Sequence, residues 1–548
     1  MFITIPRKVQ QATIFLIPIS FLILFLILPV TFTFFLSFIN LHTGSFTFQN
    51  YLSVLNDPLN QYFIYWTFYE SIITTILSII LGVGASYILS HYNIPAKKLI
   101  RNLLTVPFLL PSITVLIGFI AIYGNVIFSS NGIILANLFY NLPLMIRLTE
   151  LGWMSIDPEY EVVSKSLSMS RFSYFLHVEI PHLLPSILTA SLLVFIYSFN
   201  NFATVLILGG IQYQTIEVRI YYLFFSLQFN EASALAILSL LVNIGVIIAY
   251  LHFSSKYQSN SVNYSNKTHE LQKFRTFRLK NKIFRYGMLL VYSIVIFLIC
   301  LYPLLAIFQK SLLINNVVSL TNFKSLFSHI IQPYGLTAQE MIYNSLFFAS
   351  IVLVGSIIFS LLLNLGLHYK TKTKGIPAFS FQYVMNIIVI LPLMVSAITL
   401  VYSIFSLYKN TFVYSDISLI IIISHILIAF PFANRVIATA RASINQEMLD
   451  VGKSLGLNRR MLFMKIELPL LASSVIVAGI FSFAISIGEF ASTYFISRGP
   501  TATIPLGIYE LISHRNIPEA AALSTILIIV TLFIFYFIER FSRFDLRI

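Results

Sequence analysis

Cysteine is nearly missing from this sequence: among 548 residues there is one, Cys300, set in an apolar run. No disulfide can close within the chain, and no Cys/His cluster has the spacing of a metal site. Charge is scarce too. Asp, Glu, Lys and Arg make up 10% of the residues, where a soluble domain carries about a quarter. That deficit excludes an ordinary water-soluble enzyme or binding domain. No nucleophile elbow is present, so no catalytic centre is expected and no cofactor is implied.

What the chain has instead is hydrocarbon. Hydrophobic residues reach 58%, with 51 Phe and 30 Tyr, and the mean hydropathy is +0.87. Apolar runs fall at about 14–38, 68–90, 103–124, 131–152, 183–208, 231–252, 288–312, 344–368, 384–407, 417–440, 471–496 and 519–540. Each approaches the roughly 20 residues a helix needs to cross a bilayer. The expected fold is all-α, a polytopic membrane protein of about 12 transmembrane helices. The first run is too long for a signal peptide and lacks a cleavage site after it, so it is expected to stay as a membrane helix.

The formal charge of +14 could suggest a nucleic-acid partner, but its placement argues against one. With the N-terminus in the cytoplasm, 26 of the 34 basic residues fall in cytoplasmic segments. That is the positive-inside bias of a multi-pass protein with both termini cytoplasmic. Arg147 and Arg435 are expected to snorkel at inner helix ends.

The segment 254–287 holds eight Lys or Arg and separates two six-span halves, 1–253 and 288–548. The halves repeat. Pro29 and Ser37 match Pro303 and Ser311, and Leu110-Pro111 matches Leu391-Pro392. From the fourth span onward the offset holds at 288: Pro143/Pro431, Arg147/Arg435, Lys165-Ser166-Leu167/Lys453-Ser454-Leu455, Pro181/Pro469, Phe202-Ala203/Phe490-Ala491 and Tyr221/Tyr509. Prolines and charges match, not only Leu and Ile. Six spans per half make this a parallel repeat, with a translocation path expected between the halves.

In each half the longest cytoplasmic loop lies between the fourth and fifth spans. The second reads Asp450-Val451-Gly452-Lys453-Ser454-Leu455-Gly456, with Pro469 thirteen residues on in Ile466-Glu467-Leu468-Pro469. The first reads Val162-Val163-Ser164-Lys165-Ser166-Leu167-Ser168, with Pro181 in Val178-Glu179-Ile180-Pro181. Small residues on one helix face let another protein approach, and flanking charges can pair across the contact. An ordinary interfacial amphipathic helix is the plain alternative. Gly456 is expected to end the helix and the proline to begin the next segment. Gly452-Lys453-Ser454 mimics a phosphate-binding loop, but Glu447 stands where that motif needs its first glycine.

These loops resemble the E-A-A-x-x-x-G…I-x-L-P loop of permeases of binding-protein-dependent ABC importers. The second copy is close, with Asp450 for Glu. The first departs at Val162 and Ser168, with Glu159 and Glu161 beside them. The resemblance covers essentially the whole chain and implies the type I importer permease fold. It implies a transport subunit rather than an enzyme, in the cytoplasmic membrane of a bacterium or archaeon. The implied partners are a cytoplasmic ABC ATPase dimer and an extracytoplasmic substrate-binding protein. ATPase coupling would fall to Glu159, Glu161, Lys165, Ser168 and Pro181 in the first half. In the second it would fall to Glu447, Asp450, Gly452, Lys453, Gly456 and Pro469.

Intramembrane polar groups are costly, so Glu489, its repeat mate Asn201, and Asn200 are candidates to line the pathway, or to make hydrogen bonds between helices. Glu489 is read as the one carboxylate deep in an expected span. Fused two-half permeases resemble the thiamine and ferric-iron importer branch. The stretch Phe202–Gly210 with Thr215-Ile216-Glu217 and Ile220-Tyr221 points to thiamine. Gly488-Glu489-Phe490-Ala491 with Thr503-Ile504-Pro505 is shared with iron permeases. An ion-coupled secondary transporter and a membrane-embedded enzyme remain as rival classes.

Overall fold

The computed structural model describes residues 16–40, 43–92, 97, 100–101, 104, 110–157, 159–261, 287, 290–294, 297–314, 317–370, 389, 391–409, 417–497 and 499–541. Ten helices among them are long and apolar enough to cross a membrane. They are Leu16–Ser37, Pro58–His91, Ser130–Ser155, Arg171–Phe199, Phe229–Phe253, Leu290–Leu312, Ala338–Leu365, Ile417–Ala442, Arg460–Gly488 and Ile517–Ile534. In lipid the backbone must satisfy its own hydrogen bonds, so even Ile- and Phe-rich stretches become helix. The expected third and ninth spans are represented by the shorter helices Ser112–Ile127 and Ala397–Tyr408. Much of what precedes these two lies outside the described residues, as does most of the 254–287 linker.

Lipid offers no hydrophobic force between helices, so close packing depends on small side chains. The second span, Pro58–His91, carries Ser71, Thr74, Ser78, Gly82 and Ser86 on its buried face. A Cβ at Gly82 would come 2.4 Å from Met145 Cγ of the fourth span. Ser356, Ser360 and Asn364 hold corresponding buried places in Ala338–Leu365.

The repeat extends to backbone irregularities. Wide π turns occupy Ile23–Ile27 and Phe297–Leu301 ahead of Pro29 and Pro303, and Phe175–Glu179 and Phe463–Glu467 ahead of Pro181 and Pro469. A proline offers no N–H and crowds the carbonyl four residues back; widening the preceding turn makes room for its ring. The loop pattern has each proline begin a new segment; Pro181 and Pro469 do not. They sit inside the continuous helices Arg171–Phe199 and Arg460–Gly488.

These same helices end earlier than the apolar runs 183–208 and 471–496 suggest. Each stops at a polar pair, Asn200-Asn201 or Gly488-Glu489, and a short second helix follows, Ala203–Leu208 or Ala491–Ile496. Helices Ile216–Phe225 and Ile504–Ser513 then lead toward the last span of each half. Both close on a non-glycine residue in the left-handed region, Leu227 (φ 62°) and Arg515 (φ 60°).

By contacts the chain forms two compact units: Phe48–Val318, and the stretch ending at Thr47 together with Ser319–Ile548. Each unit therefore holds the first span of the other sequence half. In the first unit Leu290–Leu312 packs so closely on Ser112–Tyr123 that a Cβ at Gly118 would lie 2.3 Å from Pro303 O. In the second, Thr33 Oγ1 donates to Ser403 Oγ (2.9 Å) and the Tyr408 hydroxyl to Leu24 O (2.8 Å).

Candidate functional site

Two loop helices, Glu159–Ser166 and Gln446–Ser454, stand at matched places between the fourth and fifth spans. Their starts are alike. Asp157 Oδ1 accepts the Glu159 N–H and Asn445 Oδ1 accepts the Glu447 N–H, each at 2.9 Å. An Asp or Asn carboxyl or amide oxygen here satisfies a backbone donor that the first helical turn leaves open.

Their ends are alike as well. Gly456 takes φ 79°, Gly456 N–H donates to Lys453 O and Leu457 N–H reaches back to Gly452 O. In the first loop Ser168 takes φ 52°, Ser168 N–H donates to Lys165 O and Met169 N–H to Ser164 O. This is the left-handed helix stop that glycine adopts freely and other residues adopt at a cost of about 1–2 kcal/mol. The departure of Ser168 from the loop pattern thus leaves the chain path unchanged.

The inner faces carry small residues for a packing reason. A Cβ at Gly452 would lie 2.6 Å from Leu462 Cδ2 and 2.9 Å from Ile466 Cδ1; its mate Ser164 is also buried. The outer faces present Tyr160, Val163 and Leu167 in one loop and Met448, Val451 and Leu455 in the other, all exposed. The spacing, i, i+3, i+7, puts each set along one helical ridge.

Charges differ between the loops. Lys165 pairs with Glu161 at 2.7 Å, four residues back. Lys453 pairs with Asp450, three residues back. Val162, at the place of Asp450, is exposed. The carboxylate has moved by one position, and with it to another side of the helix.

Neither Glu179 nor Glu467 was singled out from the sequence, yet both carboxylates are buried beneath the loops. Arg171 Nη2 donates to Glu179 at 3.2 Å and to the Tyr87 hydroxyl at 3.1 Å, and His91 Nε2 lies 3.7 Å from the carboxylate. Glu467 receives Arg441 Nη2 at 2.8 Å. Each acid fixes the start of a fifth-span helix to the end of a neighbouring one. Their shared offset of 288 was the available signal.

The polar candidates at the end of the fifth spans act as helix caps. Asn201 Oδ1 accepts Thr204 N–H (3.2 Å) and Glu489 Oε1 accepts Ser492 N–H (3.0 Å). Asn200 exchanges amide hydrogen bonds with Asn243 of the sixth span. Glu489 is not the one deep carboxylate. The second span starts at Pro58, ten residues before the apolar run, which places Glu70 well inside it and fully buried. Its Oε2 accepts Asn137 Nδ2 at 2.7 Å. At the repeat mate of Asn137, His425 bonds Ser486 Oγ (2.9 Å) and Thr493 Oγ1 (3.0 Å).

Paired sets of spans, paired interrupted helices and paired exposed loop helices define a mainly helical membrane transport permease with an internal repeat. The chain belongs to the family of binding-protein-dependent transport system inner membrane components, the permeases of ABC importers, whose pattern matches residues 75–259 and again 357–544. It is 25% identical over 511 residues to the thiamine transport system permease protein ThiP of Haemophilus influenzae, covering 89% of this chain and 90% of the relative. It is 24% identical over 515 residues to ThiP of Escherichia coli K12, covering 90% and 91%. A molybdate/tungstate transport system permease protein, WtpB of Thermococcus kodakarensis, is 28% identical over 181 residues, 32% of this chain and 73% of the relative.

Proposed function

We propose that this chain is the permease of a thiamine importer, driven by a separate cytoplasmic ATPase dimer and supplied by an external binding protein. Both termini, the 254–287 linker and the two loop helices are assigned to the cytoplasmic side, on the distribution of Lys and Arg. The linker divides the two sequence halves, 1–253 and 288–548. The observation that carries the coupling assignment is the pair of loop helices. They have the same cap, the same left-handed stop and the same exposed apolar ridge, 288 residues apart. An apolar ridge with charges beside it suits a groove on a partner protein better than lipid or water. In this reading Glu159, Glu161 and Lys165, and Glu447, Asp450 and Lys453, contact the ATPase, and Ser168 and Gly456 shape the turn. Glu179 and Glu467 pass its motion to the fifth spans.

Thiamine as cargo is supported by relatives of that name, matched over 89% and 90% of this chain, and by the stretch from Phe202 to Tyr221. Asn200, Asn201 and Glu489 stand where the fifth spans break, which is where transporter pathways are commonly lined by irregular backbone. The test is reconstitution with the ATPase and binding protein. Thiamine should stimulate ATP hydrolysis and enter the vesicles; stimulation by ferric iron or molybdate and not by thiamine would reject the cargo.

A further inference from the structure

Non-helical backbone at membrane depth survives only where protein buries it or a path needs it. In the Phe48–Val318 unit such a segment runs from Asn200 through the short helix Ala203–Leu208 to Thr215, ahead of helix Ile216–Phe225. The second span holds both of its ends. At the far end, Thr67 Oγ1 accepts the Ile216 N–H at 3.0 Å. One turn further along the same span is Glu70, which holds Asn137 of the fourth span at 2.7 Å. The Asn137 side-chain oxygen accepts the Asn201 amide, and Asn201 also donates to Thr204 Oγ1 at 2.9 Å. Glu70 and Asn137 are buried, and Asn137 and Ser71, which donate to the carboxylate, are neutral.

Among the described residues the other half keeps the tie at the far end, where Asn344 Nδ2 also donates to Pro500 O and Ala502 O at 2.9 Å each. Ser345 Oγ accepts the Ile504 N–H at 2.8 Å, matching Thr67. By the same register Glu70 corresponds to Phe348, and His425 bonds Ser486 and Thr493 instead. An acid is expensive in a membrane helix and is kept where it does something. Here, among the described residues, it is the side chain of the second span whose hydrogen bonds reach the break through Asn137 and Asn201.

We propose that Glu70 is a positioning residue: through Asn137 and Asn201 it binds the re-entrant segment of the first half to the second span, so that the two move as one during transport. The corresponding segment of the second half is tied to its own second span at its far end, by Ser345 and Asn344, and has no counterpart of Glu70 at its start. The proposal rests on the permease family, not on the cargo.

The experiment uses the full complex with its ATPase in lipid vesicles, with Cys300→Ala removing the native thiol. Leu206→Cys, on the short helix, reports access to a small methanethiosulfonate reagent. Its repeat mate Tyr494→Cys reports the second half. Glu70→Gln keeps an acceptor for Asn137 and should label at the parent rate at both positions. Glu70→Leu should speed labelling at 206 by about fivefold or more, the scale of one lost buried hydrogen bond, and leave 494 unchanged. Asn201→Ala should do the same, and the double variant should exceed neither single one, since both cut one chain of bonds. If Glu70→Leu fails to insert, Asn201→Ala alone decides. Unchanged labelling at 206, equal acceleration at 206 and 494, additive effects, or loss in Glu70→Gln equal to that in Glu70→Leu would each overturn the proposal.

Discussion

The first-half loop helix and its second-half counterpart follow one backbone path with different side chains. Gly456 and Ser168 both take the left-handed turn, and Asn445 and Asp157 both cap the start. Asp450 and Val162, at one position, share nothing chemically. Fold constraints act on the path, because the turn and the buried small residue decide whether the helix can lie on the bundle. Partner constraints act on the outward face, and a fused chain can let its two faces diverge. The difference separates a backbone path that the two loops share from outward side chains that they do not.

The largest expected effect breaks that second loop. Gly456→Pro demands φ near −65° where the chain has 79°, and Asp450→Lys reverses a charge beside Lys453. Either should reduce reconstituted uptake to background while the protein still inserts and elutes as a monodisperse species. Equivalent changes at Glu161 and Ser168 should be milder; if they prove consistently the more damaging, the assignment of the second loop as dominant fails.

Next come the buried acids. Glu467→Gln leaves Arg441, whose side chain is 13% exposed, short of its carboxylate, a loss approaching about 3 kcal/mol for a broken, largely buried pair. Glu179→Gln should cost less, because Arg171 is 39% exposed and can turn to water. Thermal unfolding in detergent should rank them in that order, and the reverse order would mean that His91 carries more of the first anchor than its 3.7 Å separation suggests.

A smaller effect sharpens the comparison of the turns. Gly456→Ala should cost about 1 kcal/mol, and Ser168→Gly should gain up to about the same amount by relieving the left-handed strain. Equal and opposite shifts in unfolding temperature would confirm one shared turn; destabilisation by Ser168→Gly would show that the serine side chain contributes something of its own. The smallest is Lys165→Ala. It removes an exposed pair with Glu161 worth about 0.5 kcal/mol at most, and should leave the unfolding temperature nearly unchanged while lowering coupling, measured as thiamine moved per ATP hydrolysed.

Much of this was legible in the residues. Apolar run length located the spans because lipid permits only closed hydrogen bonding, and the repeat appeared in matched prolines and charges such as Pro181/Pro469 and Lys165/Lys453. The loop helices followed from spacing. Where the fifth spans begin and end was not legible: Phe202–Leu208 is as apolar as the helix it follows, and Phe490–Ile496 continues the run 471–496 without a charged residue after Glu489. Hydropathy carries no mark for a break that two polar residues make through local caps. Glu70 was overlooked because its span begins ten residues before the hydrophobic run does, in the mixed stretch Pro58–Thr67.

Sequence by itself determined the class of solvent, the number of repeats and the positions of the loops, since each depends on composition or on spacing along one segment. Tertiary structure alone decided which spans belong together. Leu16–Ser37 packs in one unit with Ser319–Ile548, and Leu290–Leu312 packs within Phe48–Val318. It also decided that Glu70 meets Asn137 and that Glu467 meets Arg441. Lipid offers no hydrophobic force between spans, so partner choice is set by shape and a few buried hydrogen bonds between residues far apart in the chain.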